Sequence, residues 1–374
     1  MSFNYRFLHL SLCVVVLVAI SACKKDPVIF KEYISDPKDT TITDTVVVYD
    51  PEPYAIQFPY WFQAQPLIPQ ENPLTKDGVA LGRRLFYDPV LSGDSTQSCA
   101  SCHKQEFAFT DGLQFSQGID GTFGTRNAMA IINMAYSTSF FWDGRAEILE
   151  DQALEPVPNL IEMHLSWEEA AKRLSKHPDY PTYFYKAFGS TEIDSNKVVM
   201  ALAQFMRIII SSNAKIDDVL KTDPPDLSLL TESEFNGWVI YNSEEGDCFH
   251  CHGVPLMTDN HFHNNGLDET FSDLGRSIIT SNPEDEGKFK APTLRNIELT
   301  APYMHDGRFQ TLEEVLEHYN QGLHWSPTID PLMKKIDQGG LLLEPEELQD
   351  LLNFLKSFTD ESFTTNPEYS NPFE

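Results

Sequence analysis

Two short stretches constrain this chain more than anything else in it. "SCASCHKQEF" carries Cys99, Cys102 and His103 as a Cys-x-x-Cys-His unit, and "DCFHCHGVPL" repeats the unit as Cys248, Cys251 and His252. The chain has 374 residues and six cysteines; the other two, Cys13 and Cys23, lie in an apolar N-terminal run. No cysteine is left over for a disulfide framework. A thioredoxin-like pair is disfavoured, because neither unit is flanked by a strand-to-helix sequence of that type. A zinc site joining both pairs would leave the two histidines unexplained. Two covalently attached c-type haems account for all six residues. Each pair of thiols bonds the vinyl groups of one haem, and His103 or His252 projects its imidazole at the iron.

The N-terminus reads as a targeting segment. Arg6 precedes "LSLCVVVLVAISAC", which is too short to span a bilayer comfortably and ends like a bacterial lipobox with Cys23 as the lipidated residue. Residues 1–23 are therefore expected to be a lipoprotein signal, and the protein to be exported and lipid-anchored to a membrane on the periplasmic side. A formal net charge of −29 excludes nucleic acid as a partner, since phosphates need Lys and Arg.

Residues 24–56, rich in Asp, Thr and Pro with one β-like run at "TDTVVVY", are expected to form a tether. Beyond it the pattern is helical. Residues 194–212 are apolar almost all round, which predicts a buried helix. Ser166 with Glu169, and Thr311 with Glu314, have capping-box spacing, and Gly322 is a plausible stop for the second helix. Leu348, Leu351, Leu352, Leu355 and Phe358 form one stripe behind Pro345. The expected fold is mostly α, with two cytochrome c-like haem domains packed together, 57–225 and 226–374, divided near "KTDPPDLS". No collinear repeat is expected beyond the haem motif itself.

Several further motifs run in order over roughly residues 70–360: "LGRRLFYDPVLSGDSTQSCASCH", "FAFTDG", "TRNAMAIINMA", "FFWDGRAEILEDQA", "IEMH", "APTLRNIELTAPYMHDGRF" and "TLEEVLEHYNQG". Together they resemble the bacterial di-haem cytochrome c peroxidase family. The resemblance implies a peroxidatic haem at His103 and an electron-transfer haem at His252. It implies a catalytic Glu162, a distal Gln152 and a bridging Trp142 that relays electrons. It also implies a calcium ion held by Asn127, Thr300 and Pro302, the last two through backbone carbonyls. Expected partners are hydrogen peroxide and a small donor such as a monohaem cytochrome c; homodimers are common in the family.

Two departures stand out against that pattern. The loop 113–127 lacks the histidine that caps the resting peroxidatic iron in many members, so an open iron is expected. Tyr319 stands where standard members place a methionine, and its spacing from Leu312, Val315 and Leu316 directs it inward. This resembles the MauG branch, in which a His–Tyr haem works beside an open one. Met304, Met257 and His263 remain alternative ligands, and His305, His261 and His263 are candidates for bonds to haem propionates. The expected function is a di-haem peroxidase; the alternatives are a MauG-like oxidase of a protein substrate and a non-enzymatic electron carrier.

Overall fold

A computed structural model describes residues 28–33 and 42–374, with side chains from residue 48 onward. The leader and Cys23 lie outside the described residues. The segment expected as a plain tether contains a two-stranded antiparallel ribbon, β1 (Val28–Tyr33) with β2 (Ile42–Val47), in the register Val28↔Val47 to Tyr33↔Ile42. β-branched residues in both runs favour pairing, and the partner strand carried no signal strong enough to be expected. The ribbon belongs to a unit separate from the compact body, Asp50–Glu374. The end of the expected tether is hydrogen-bonded into that body: the Tyr54 N–H donates to Leu74 O and the Lys76 N–H to Glu52 O, each over 2.9 Å.

The body is mostly helical. Its first part holds α1 (Lys76–Tyr87), α2 (Cys99–Cys102), α3 (Leu149–Leu154), α4 (Trp167–Lys176), α5 (Tyr180–Phe188) and α6 (Ser195–Ile208). α7 (Lys215–Leu220) and α8 (Glu232–Tyr241) follow, then the short β3 (Phe262–His263), α9 (Ser277–Thr280) and β4 (Phe289–Lys290). α10 (Leu312–Gln321) and α11 (Pro345–Lys356) complete it. The expected caps are present: Ser166 accepts from the Glu169 N–H, and Thr311 and Glu314 cap one another at α10. α6 is the buried helix, started by Asp194, which accepts from the Lys197 N–H.

Two large hydrophobic cores result among the described residues, beside a small third cluster of Phe62, Ala135 and Tyr136. The first gathers α1, α4, α5 and α6, and the second α8, α10 and α11. A helix pair crosses tightly in each. A Cβ on Gly82 of α1 would lie 1.8 Å from Ala201 O of α6, and one on Gly237 of α8 would lie 2.2 Å from Asp350 O of α11. Only glycine admits backbones so close. The change of core falls between Ile209 and Ala214, ahead of 221–228, because α7 is pinned into the second core. There Asp217 and Arg295, both fully buried, form a two-pronged ion pair at 2.8 and 2.9 Å. The C-terminal segment crosses back: Phe363 and Tyr369 pack in the first core.

The structure also reveals a repeat that the sequence reading did not find. Residues 127–146 and 290–309 correspond position for position without a gap. Met134–Tyr136 and Ile297–Leu299 are equivalent 3-10 turns, each begun by a left-handed asparagine, Asn133 or Asn296. Phe141 and Met304 both have positive φ, and the bridges Phe140↔Ala146 and Tyr303↔Phe309 are equivalent. One residue ties the copies together. The Asn133 side chain bonds the backbone of Ser211, and Asn296 Nδ2 donates to Ser211 Oγ.

Asp217→Asn leaves the Arg295 guanidinium buried without its counter-charge, which costs roughly 3–5 kcal/mol in comparable pairs. We expect a loss of that size in denaturant unfolding of the haem-loaded protein.

Candidate functional site

Each Cys-x-x-Cys-His unit begins on a short helical turn, Cys99–Cys102 or Cys248–His250, and the histidine follows at once. His103 Nδ1 lies 2.9 Å from Phe109 O, and His252 Nδ1 lies 3.0 Å from Met257 O. A carbonyl can only accept, so each Nδ1 carries the proton and each Nε2 is left as a lone-pair donor. Both accepting residues sit in the left-handed region, Phe109 at φ 63° and Met257 at φ 56°. That backbone is strained for a large side chain and is held by what surrounds it. Phe109 packs against Phe86 and Phe363, and Gln105 Nε2 donates to Phe363 O and Asn366 O. The returning C-terminus thus braces the first histidine. Tyr241 braces the second, its hydroxyl donating to His252 O and touching Met257 Sδ.

The four cysteines are unpaired thiols. Burial pushes Cys99 up to about 12, with the charges of Cys102 and Glu162 adding to it. Burial likewise raises Cys102 to about 11 and Cys248 to about 12. Thiols held protonated are poor redox nucleophiles, which argues against a thioredoxin-like role for the Cys99–Cys102 pair.

Glu162 faces the first unit, since its charge acts on both Cys99 and Cys102. Its side chain opens to solvent but is hemmed in by protein, and this burial raises its pKa against the hydrogen bond from Asn159 Nδ2 to Oε1 at 2.6 Å. The loop opposite is stitched to it. The Ile119 N–H donates to Glu162 O over 3.0 Å, and Asp120 pairs with His164 over 2.9 Å. Gln152 lies half-buried on α3, a helix anchored where Glu150 meets Arg207 of α6 at 2.5 and 2.8 Å.

Trp142 sits where the halves meet. Its indole N–H donates to Asn127 O over 2.9 Å, while its own carbonyl accepts from the Lys290 N–H over 2.8 Å. The Asn127 N–H in turn donates to His305 O over 2.7 Å. Asn127 Nδ2 donates to Leu113 O over 2.9 Å, which leaves Oδ1 as the oxygen of this side chain that could serve a cation. Oxygen donors of this kind suit calcium.

Tyr319 faces the second unit. Burial lifts its phenol to about 12, with the Cys251 and Cys248 charges adding, against a hydrogen bond from Asn265 Nδ2 to the hydroxyl over 3.0 Å. The same amide lies 3.6 Å from Met304 Sδ, so Tyr319 and Met304 share one neighbourhood. Met257 stands on the proximal side, and His263 is held between Asp259 at 2.8 Å and Asp330 at 2.6 Å. Asn265 and Asp330 carried no signal in the sequence, because their partners are distant along the chain; Asp259, four residues before His263, was not singled out.

The comparisons with known proteins agree with this geometry. A family model described as di-haem cytochrome c peroxidase matches residues 76–224. The methylamine utilization protein MauG of Methylorubrum extorquens is 36% identical over 296 residues, covering 78% of this chain and 81% of the relative. The cytochrome c551 peroxidase of Nitrosomonas europaea is 35% identical over 250 residues, covering 66% of this chain and 73% of the relative. The chain belongs to the di-haem cytochrome c peroxidase family. A crystal structure of a MauG-like protein associated with microbial copper homeostasis superimposes with a TM-score of 0.76 at 36% identity, covering 86% of this chain and all of that one. Membership implies haem c, and the residues fit it: paired free thiols, each followed by an imidazole whose Nε2 is left unprotonated. Among the described residues no helix is long and apolar enough to cross a membrane.

His263 is raised to about 12: burial alone would lower it, but the carboxylates of Asp259 and Asp330, with the Cys251 sulfur beside them, more than reverse that. A histidine raised in the fold stabilises fully below its unfolded pKa, near 6.5, and that contribution fades as pH climbs toward the folded value. We expect His263→Gln to destabilise the protein most below about pH 6.5 and progressively less above it, read from unfolding curves at several pH values.

Proposed function

We propose that the protein is a peroxidase that reduces hydrogen peroxide to two waters, taking one electron from each of two molecules of a small donor such as a monohaem cytochrome c and two protons from solvent. The position of Glu162, facing the first motif with a raised pKa, is the observation that supports this most directly. Haem held at Cys99, Cys102 and His103 supplies the redox chemistry of O–O cleavage. Glu162, fixed at Oε1 by Asn159, takes the proton from one peroxide oxygen with Oε2 and returns it to the other. Gln152 adds a hydrogen bond to the developing charge. With no histidine between His103 and His164, the chain offers no imidazole from loop 113–127 to block the peroxide face.

Trp142, bonded to both halves, relays electrons from the second haem site at Cys248, Cys251 and His252. Tyr319 would help to hold the iron of a haem at that site, with Asn265 Nδ2 donating to its oxygen and favouring the anionic form. Calcium is held by Asn127 Oδ1 and the carbonyls of Thr300 and Pro302. The protein works in the periplasm, anchored through a lipid on Cys23. Tyr319 also supports a second reading, in which the electrons come from residues of a protein substrate, as the similarity to MauG suggests.

Stopped-flow mixing of the ferric, haem-loaded protein with peroxide and a reduced small cytochrome separates the readings. Oxidation of the cytochrome without a lag is expected. A long-lived spectral change without turnover would favour the protein-substrate reading, and no response to peroxide would leave an electron carrier. Glu162→Gln should lower the peroxide reaction by roughly 10²–10⁴-fold. Glu162 acts as a base, so in the unsubstituted protein the rate should rise with pH through an inflection above the ordinary glutamate range. That limb should be missing in Glu162→Gln. Stripping divalent ions with a chelator should lower turnover, calcium should restore it, and Asn127→Ala should respond to neither treatment.

A further inference from the structure

Lys290 is buried, 6% exposed, and has no carboxylate within ion-pairing distance among the described residues. Its ammonium makes one hydrogen bond, to Ser139 O over 2.6 Å. It lines a cavity of about 50 Å³ together with Tyr136, Thr258 and Asn260. In that wall Tyr136 Oη and Asn260 Oδ1 have no partner, and neither does Ser139 Oγ beside the ammonium. Tyr136 is itself 5% exposed. Buried polar atoms left unmet are rare, and a cluster of them beside an unpaired ammonium marks a place built for something polar.

The sign and size of the occupant follow from the lining. The Lys290 ammonium and the Tyr136 hydroxyl are donors that together suit an oxygen anion, Asn260 Oδ1 is an acceptor that such an anion would not meet, and the volume admits only a compact group. Met129 and Pro292, also in the wall, present their backbones to His103 and His252 respectively, so the cavity lies between the two haem-bearing segments. The internal repeat adds an independent argument. Lys290 corresponds to Asn127, and Ser137 and Ser139 correspond to Thr300 and Pro302. The exchanged bonds Asn127 N–H to His305 O and Lys290 N–H to Trp142 O confirm the equivalence. The position that carries an uncharged amide in one half carries a cation in the other.

We propose that this cavity is a carboxylate-binding site, with the Lys290 ammonium as counter-charge and Tyr136 Oη as second donor, and that a carboxylate of one covalently held haem fills it. The proposal rests on the haem reading of the two motifs and is independent of the peroxidase assignment. A free carboxylate such as acetate would have the same chemistry, and the test distinguishes the two sources.

The test measures the midpoint potentials of both haems by spectroelectrochemical titration in haem-loaded Lys290→Met, Tyr136→Phe and unsubstituted protein, without acetate and with it in excess. Loss of a positive charge beside a haem carboxylate favours the ferric state. Lys290→Met should therefore make reduction of one haem about tenfold less favourable, ~59 mV for one electron, and leave the other haem unmoved. Tyr136→Phe, which removes a hydroxyl with no protein partner and so leaves the fold intact, should shift the same haem in the same direction by less. Acetate should change neither result. If the unsubstituted protein and Lys290→Met differ only when acetate is present, the site stands and its occupant is a free carboxylate. Unchanged potentials in both variants mean that the cavity holds water alone, and equal shifts of both haems mean a remote charge effect; either overturns the proposal. Pyridine haemochrome spectra report covalent loading separately, and a protein that loads no haem would overturn it with the haem reading itself.

Discussion

The arrangement turns on one hydrogen bond made twice: the imidazole N–H of each Cys-x-x-Cys-His histidine given to a backbone carbonyl five or six residues on. That bond fixes which nitrogen is available to a metal, and it requires the accepting residue to turn into the left-handed region. A phenylalanine and a methionine do not hold that backbone unaided. The packing beneath them therefore has a task beyond filling space. In the first half, Phe86 and Phe363 clamp Phe109; in the second, Tyr241, seated among Phe354 and Phe358, reaches both His252 O and Met257 Sδ. Core, loop and ligand form one mechanical chain in each half.

The two chains share a plan and differ in their outer faces. Repeated segments meet at Ser211 and exchange backbone bonds, so the halves are held in a fixed relation through Trp142, Asn127, His305 and Lys290. On this common frame the first half sets a carboxyl with a raised pKa before its motif, and the second sets a phenol with an amide donor. A carboxyl raised above the ordinary glutamate range suits proton movement; a phenol assisted by Asn265 suits a fixed anionic ligand. The division of labour we propose follows from that asymmetry, since the frame itself is nearly the same on both sides.

What was legible in the sequence was what short spacing encodes. The motif units, the caps at Ser166 and Thr311 and the buried helix after Asp194 each depend on neighbours within a turn or two. The inward spacing of Tyr319 was legible for the same reason, although spacing could not separate it from Met304, which meets the same amide. What was missed depends on partners far along the chain. Asn265 reaches Tyr319 across 54 positions, Arg295 reaches Asp217 across 78, and Gln105 reaches Phe363 across 258. The internal repeat had a visible trace in "WDGR" and "HDGR". Its remaining matches lie in backbone conformation, where Asn133 and Asn296 are alike while most side chains around them have diverged.

The same reasoning bears on the loop between Asp111 and Asn127. A segment with no imidazole to give a metal needs some other reason to keep a defined path, and its path is fixed by Glu162. Ile119 bonds the backbone of Glu162, Asp120 pairs with His164 two residues beyond it, and Asn127 at its far end is bonded to the second half through His305. Where a histidine-bearing loop would have to leave before peroxide could bind, this loop contributes to holding the carboxyl in place. In the reading we propose, the open first site and the loop bonded to Glu162 and His164 belong together.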